Sequence, residues 1–238
     1  MKGEKNKRNI DIPFRKEICD VYIVRTSILK SIKDTLHMFN GKLLDAGCGK
    51  MPYRDLILKE SSINTYVGLD IESALVYDSN VKPNFTWDGI TMPFNDFEFD
   101  VVFATEVLEH CPDPQQFINE SYRVLKQDGV FFFTVPFLWP LHEVPNDSFR
   151  YTPFTLEKMF NKAGFRTICL KPMGGWHASM AQILGLWVKR SPLPSLIRKA
   201  LLFIIKPVII LLLKLEVKSS VKFEEGQMIT GLTGYVIK

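Results

Sequence analysis

Apolar positions along the chain follow two periods. Between residues 17 and 39 they fall at Ile18, Val21, Tyr22, Leu29, Ile32, Leu36 and Phe39 with charges between them, which predicts one long helix or two short ones, stopped at Gly41. From residue 42 the pattern changes to short apolar runs separated by amphipathic stretches. The runs at 42–46, 64–70, 84–88, 99–105, 130–135, 165–171 and 231–238 read as strands, and the fourth and fifth have the near-continuous apolar character of central parallel strands. Between them, Pro52 opens a helix, Asp113-Pro114 caps one whose buried face is Phe117, Ile118, Ser121 and Leu125 and which ends at Gln127-Asp-Gly129, and residues 155–163 form one closed by Gly164. Strands alternating with helices at this spacing predict an α/β fold, a doubly wound and mostly parallel sheet.

After the breaker run Pro172-Met-Gly-Gly-Trp-His the composition shifts. Residues 186–215 are rich in Leu and Ile, with Lys206-Pro207 in the richest part. A spanning helix needs ~20 uninterrupted apolar residues, which this run does not supply. Lys189, Arg190, Arg198, Lys199, Lys206 and Lys214 beside aliphatic surface suit a helix, or a pair kinked at Pro207, lying in a bilayer interface. A buried helical hairpin or a dimer contact is the structural alternative. The expected organisation is therefore an N-terminal tail and helical cap (1–40), an α/β core (41–171), an apolar helical insertion (172–220) and a closing strand of the core (221–238).

Candidate chemistry concentrates where the strands end. Lys-Leu-Leu-Asp-Ala-Gly-Cys-Gly-Lys at 42–50 is an apolar strand running into Asp45 and then Gly47 and Gly49, and glycines there allow a tight turn and close approach of a ligand. The dinucleotide form of this turn needs a third glycine where the chain has Pro52. Asp45 suits a ligand carrying positive charge. Asp70 closes the second strand, where a carboxylate can accept both hydroxyls of a ribose. Thr105 and Glu106 stand at the end of the fourth strand, the edge outside which ligands of open α/β sheets collect.

Asp-Ala-Gly-Cys-Gly at 45–49, Gly-Leu-Asp at 68–70, Asp-Val-Val-Phe-Ala-Thr-Glu-Val-Leu-Glu-His at 100–110 and Arg-Val-Leu-Lys-Gln-Asp-Gly-Val-Phe at 123–131 occur in this order and at this spacing. The chain thereby resembles the class I S-adenosylmethionine-dependent methyltransferases, over about 42–165 and again at the last strand. The resemblance implies a seven-stranded Rossmann-like sheet with an antiparallel last strand, leading helices that cover the cofactor, and S-adenosyl-L-methionine as that cofactor. It implies Asp45, Gly47 and Gly49 near the methionine portion, Asp70 with Ile71 at the ribose, Asp88 at the adenine amine, and Thr105 and Glu106 beside them. Lys50-Met-Pro-Tyr-Arg54 departs from the longer glycine run of many members, which leaves open which amides face the methionine portion.

The segment Pro136-Phe-Leu-Trp-Pro-Leu-His-Glu-Val-Pro-Asn-Asp-Ser-Phe-Arg-Tyr-Thr152 resembles one in methyltransferases that accompany bacterial polysaccharide and lipopolysaccharide synthesis. Loops at that edge often hold function. His142 is the first candidate for a base acting on an acceptor hydroxyl and His110 the second, with Glu143, Arg150 and Tyr151 as substrate-binding candidates. Arg150 paired to Asp147 or Glu143 is the structural alternative. A sugar or glycolipid is the expected acceptor, a quinone or other lipid the runner-up, and a non-catalytic cofactor-binding scaffold the reading from another class.

Composition narrows the rest. A net charge of +4 is too small to argue for a nucleic-acid partner, and the four cysteines have no metal-type spacing, so no metal ligand set is read and a reduced cytoplasmic chain is expected. The basic start, Met-Lys-Gly-Glu-Lys-Asn-Lys-Arg, lacks an apolar run behind it and is not read as a secretory signal. Contact with the inner face of the cytoplasmic membrane is the expectation attached to residues 186–215.

Overall fold

The computed structural model describes residues 14–15, 19–71, 82–216 and 221–238; the basic tail at 1–8 and the helix-start positions Glu17 and Ile18 lie outside the described residues. Helix α1 (Tyr22–Thr35) and a 3-10 turn (Leu36–Met38) precede β1 (Asn40–Ala46), α2 (Arg54–Glu60), β2 (Ser62–Ile71), β3 (Phe85–Trp87) and β4 (Phe99–Thr105). A second 3-10 turn (Leu108–His110), α3 (Pro114–Val124), β5 (Leu125–Pro136), α4 (Pro153–Ala163), β6 (Thr167–Met173), α5 (Trp176–Arg190), α6 (Ser195–Glu216) and β7 (Gly231–Ile237) follow.

The strands form one seven-stranded sheet in the order β3-β2-β1-β4-β5-β7-β6. β1 to β5 pair in parallel, and β7 runs antiparallel between β5 and β6. Because successive strand residues point to opposite faces, the apolar runs build two layers at once. Leu44, Leu69, Val102, Phe131 and Phe133 meet Phe117, Ile118, Leu156 and Phe160 of α3 and α4 on one face. Leu43, Tyr66, Phe103 and Phe132 meet Ile28, Ile32, Leu56 and Ile57 of α1 and α2 on the other. The chain order reverses between β1 and β4, so the crevice outside their C-terminal ends is the place for a ligand.

Several expected boundaries move. Gly41 is not the helix stop: α1 ends at Thr35 and Gly41 lies inside β1 at a register shift, with φ +69°, where a Cβ would clash with Asp100 Oδ2 at 2.3 Å. Asp100 needs that approach because it accepts the Lys42 amide at 2.8 Å. Helix α2 begins at Arg54, so Pro52 stands before the helix and not in its first turn. Gln127-Asp-Gly129 belongs to β5, since α3 has already ended at Val124.

The apolar insertion is a two-helix hairpin. Glu216 at the end of α6 accepts the amides of Gly175 and Ala178 at 2.6 and 2.9 Å, capping the start of α5. Pro207 sits within a single helix rather than between two. Ile205 and Ile209 are buried against α5 and the Cys19 segment, whereas Leu196, Phe203, Ile204, Val208, Leu211 and Leu215 are exposed. No helix among the described residues is long and apolar enough to cross a membrane.

Candidate functional site

The turn after β1 is held by β2. Gly47 and Cys48 donate to the Leu69 carbonyl at 2.8 and 3.0 Å, which turns the chain sharply over the end of the neighbouring strand. Gly47 (φ +80°) is required by packing: a Cβ there would stand 2.5 Å from Val107 Cγ2. Gly49 (φ +48°) is different, because a Cβ there would meet open space. Of the two glycines, Gly49 is the one with room above it for a ligand.

Asp70 faces that turn. Its Oδ2 accepts the Gly49 amide at 2.7 Å and its Oδ1 the Ile71 amide at 2.8 Å. Burial pushes its carboxyl up, the two amides oppose that, and Glu143 adds to the rise, which brings the 136–152 loop into electrostatic range of the turn. Ile71 beside it is exposed. Asp45 is fully buried and accepts a short hydrogen bond from the Tyr66 hydroxyl. Burial raises its carboxyl to about 7, Tyr66 opposing. Its charge is therefore turned inward, toward β2. Asp88 is exposed, and its Oδ1 caps its own turn by accepting the Ile90 and Thr91 amides at 2.8 and 3.0 Å, which hold its carboxyl low.

At the end of β4, Thr105 is half-buried and Glu106 takes a left-handed conformation, φ +55°. Thr134 donates to Glu106 Oε1 at 2.9 Å, and burial raises the Glu106 carboxyl to about 7. Non-glycine residues with positive φ are costly and gather at functional sites; Met51 and Glu143 are two more on the same edge.

The loop after β5 folds back over this edge around Asp147. The Asp147 side chain is 2% exposed and receives both ends of the Arg150 guanidinium at 2.6 and 2.8 Å and the His142 amide at 3.2 Å. Arg150 holds its carboxyl well below the usual range. Of the two partners expected for Arg150, the structure selects Asp147. Tyr151 is buried and donates to the Leu108 carbonyl at 2.8 Å, so its hydroxyl is occupied by the fold. Two ties run to α5: Gln182 donates to the Leu138 carbonyl, and the Arg190 guanidinium lies 4.9 Å from the Trp139 ring centroid.

The loop brings the two histidines together. Their ring centroids are 4.7 Å apart, edge to face. His110 Nδ1 lies 3.1 Å from the Asn146 carbonyl, and its Nε2 lies 3.8 Å from Glu143 Oε2 and 3.7 Å from Glu109 Oε1. His142 Nδ1 is 3.3 Å from Asp147 Oδ2 without hydrogen-bond geometry. Burial lowers the His142 pKa, Asp147 opposing, which favours the neutral ring near pH 7.

Glu109 was not among the residues singled out from the sequence. It is 0% exposed, and neither carboxylate oxygen has a hydrogen-bond partner among the described residues. Burial, then Glu106, push its carboxyl well above the usual range. The sequence signal for it was weak: an acidic residue beside His110 past an apolar strand looks like any solvated turn.

Residues 44–133 match the family model described as Methyltransferase domain. A solved structure, phosphoethanolamine N-methyltransferase 2 of Haemonchus contortus in complex with S-adenosyl-L-methionine, superposes with a TM-score of 0.57 at 15% identity, over 98% of this chain and 59% of that one. This is the methyltransferase fold. Among curated relatives, a probable S-adenosylmethionine-dependent methyltransferase of Mycolicibacterium smegmatis is 34% identical over 40% of this chain and 37% of its own length. A ubiquinone biosynthesis O-methyltransferase of Coxiella burnetii is 26% identical over 48% of this chain and 51% of its own. The match thus spans about half, or less, of these relatives. The stretch that matches the family model runs from β1 to β5 and stops before the His142 loop and the hairpin.

Proposed function

We propose that the chain is an S-adenosylmethionine-dependent methyltransferase that methylates a hydroxyl of a small-molecule, sugar or glycolipid acceptor. The observation that carries this is one edge of the sheet holding both halves of such a site: the open Gly49 turn facing Asp70, and beside it a pair of histidines under an aromatic loop. The fit is testable in the residues themselves. Gly49 leaves a space that a Cβ would fill, and Asp70 presents a carboxylate to it from the end of β2, where ribose hydroxyls can exchange for the Gly49 amide.

The cofactor, when bound, supplies a methyl group already activated on a sulfonium centre. The protein's part is alignment. Gly49 and Asp70 hold the nucleoside, Glu106 borders the crevice from β4, and the 136–152 loop closes the acceptor side and excludes water. His142, neutral at pH 7, is placed to take the hydroxyl proton, and His110 stands next to it. Arg150 and Tyr151 act by shaping this loop, since their polar atoms are engaged with Asp147, Phe149 and Leu108. Asp88 reaches the adenine only with the oxygen its turn leaves free.

The acceptor reading adds a surface. The exposed face of α6 carries Phe203, Ile204 and Leu211 with Lys199, Lys206 and Lys214 beside them, and α5 ties the hairpin to the acceptor loop. This favours an acceptor attached to lipid at an anionic membrane surface. A sugar of a bacterial polysaccharide or lipopolysaccharide remains our first choice and a quinone the second. Calorimetry with S-adenosylmethionine tests the core of the proposal. Asp70→Ala should weaken binding by roughly 1.5 to 3 kcal/mol, the range for hydrogen bonds to a charged group. Unchanged affinity would remove Asp70 from the site, and no binding to the intact chain would remove the function.

A further inference from the structure

We propose that Glu109, His110 and His142 form a binding site for one divalent first-row transition-metal ion, which activates the acceptor hydroxyl. One ligand atom from each residue already lies within 4.8 Å of the others, and Glu109 Oε1 is 3.7 Å from His110 Nε2. Atoms sharing an ion at ~2.0–2.2 Å stand about 3 Å apart, so side-chain rotation of about an ångström closes the site.

The second observation is independent of that spacing. Glu109 is fully buried and both its carboxylate oxygens lack a donor among the described residues, although buried polar groups in a fold are nearly always paired. Neighbouring amides donate elsewhere: Ser148 and Phe149 bond the Glu109 backbone carbonyl at 2.9 and 3.2 Å and leave the side chain aimed at the histidines. A cation there supplies the missing partner for the carboxylate.

The surroundings suit ligation. With the Asn146 carbonyl 3.1 Å from His110 Nδ1, the tautomer that donates there leaves the Nε2 lone pair facing Glu109 and Glu143. Asp147 stands behind His142 in the same way, a carboxylate behind an imidazole. Glu109 and His110 come from the turn after β4 and His142 from the loop after β5, so adjacent strands supply the ligands. Two imidazoles and one carboxylate make a borderline donor set, better matched to Mn²⁺, Fe²⁺, Co²⁺, Ni²⁺ or Zn²⁺ than to Mg²⁺ or Ca²⁺, which prefer all-oxygen sites. Three protein ligands leave open positions toward the crevice for acceptor oxygen.

This rests on the methyl-transfer reading and changes what His142 does in it: a histidine holding the ion cannot also take the proton. The ion instead acidifies the acceptor hydroxyl. The hydroxyl proton leaves to solvent, the oxygen's electron pair forms the new O–C bond to the methyl, and the S–C bond breaks to leave a neutral thioether. Charge and atoms balance without an oxidant or reductant.

The test uses the full, tag-free chain, stripped with a chelator and dialysed in parallel against Mn²⁺, Co²⁺, Ni²⁺ and Zn²⁺, with Fe²⁺ under anaerobic conditions, followed by metal analysis. About one equivalent of at least one ion should be retained, with Co²⁺ giving a visible d–d absorption. Outer-shell changes at metal sites cost ~10–100-fold in affinity, so loss of a direct ligand in Glu109→Gln should cost at least ~100-fold. Should Glu109→Gln fail to fold, His142→Ala, in the loop, gives the same reading. No retained ion in the intact chain, or equal retention by His142→Ala, overturns the site. Calorimetry with S-adenosylmethionine, run beside the metal analysis, separates the two proposals: a chain that binds the cofactor but retains none of the ions overturns this one alone, and a chain that retains an ion but does not bind the cofactor overturns the methyl-transfer reading on which the ion's role rests.

Discussion

Replacing Asp147 by alanine should unpin the loop that carries His142. The side chain is 2% exposed and accepts from both ends of Arg150, at 2.6 and 2.8 Å, and from the His142 amide at 3.2 Å. Removing one partner of a buried ion pair costs ~3–5 kcal/mol because the other charge is stranded. Arg150 is 26% exposed at its side chain and water recovers part of that, so about 2–3 kcal/mol is the expected loss. In a chain of this size 1 kcal/mol moves the melting temperature by roughly 2–4 °C, giving a fall of about 4–12 °C. Asp147→Asn keeps one acceptor and should fall between. The pH dependence carries a sign: Arg150 holds the Asp147 carboxyl below its ordinary value, so this stabilisation is complete above about pH 4–5 and is lost as the solution is acidified further. Calorimetric melts of the wild type, both variants and Asp147→Ala with Arg150→Ala decide it. The double variant should be less destabilised than the sum of the single ones. A fall under about 0.5 kcal/mol in Asp147→Ala, or strict additivity, would refute the pinning argument.

Three further outcomes are expected. Asp45, raised to about 7 by burial, favours its neutral form in the fold, so its stabilising contribution is full below the ordinary carboxylate value and is lost as pH rises through about 7; Asp45→Asn should flatten melting temperature between pH 5 and 8, and parallel curves would contradict this. Gly185→Ala in α5 places a Cβ 2.3 Å from the Cys19 carbonyl oxygen, a backbone atom that cannot swing away, so the gain in helix propensity is outweighed and urea midpoints should drop. Anionic liposomes should co-sediment the intact chain more than a Phe203→Gln, Ile204→Gln, Leu211→Gln variant, all three positions being exposed at 85%, 61% and 57%; equal binding would leave the hairpin as a structural element only. Ile205 and Ile209 are unsuitable for that comparison because both are buried.

The sheet was legible because its signal is local: an apolar run ending in Asp or Glu, then a turn, then an amphipathic stretch, repeated until the strands outnumber any other reading. Element ends were less so. Gly41 and Pro52 are helix punctuation in isolation, and only the approach of Asp100 shows that Gly41 serves a strand instead. The turn proposed to hold the cofactor stands out in the sequence for the same local reason, since Asp45, Gly47, Gly49 and Asp70 all stand within a few residues of strand ends; that Asp45 turns inward to Tyr66 and that Val107 closes the space over Gly47 follows only from packing.

The side proposed for the acceptor was not. Which partner Arg150 takes, that Tyr151 is spent on Leu108, and that Glu109 faces His110 and His142 are facts about the packing of one loop on the neighbouring strand end. The 32 positions that separate His110 from His142 span α3 and β5, and no spacing rule reaches across them. The topology does: β4 and β5 pair in parallel, with Thr105 opposite Thr134, so the segments that leave their ends start side by side. The same pairing explains why Glu109 ends up buried. The loop after β5 lies over it, and its backbone carbonyl holds that loop through Ser148 and Phe149. A carboxylate covered in this way, facing two imidazoles and lacking a donor among the described residues, is a local conflict that a fold keeps where function repays it. In this chain the conflict sits where two segments meet: the 106–110 turn, inside the stretch that matches the family model, and the 136–152 loop, just beyond its end at residue 133, so under the proposed function the part of the site peculiar to this chain is the loop.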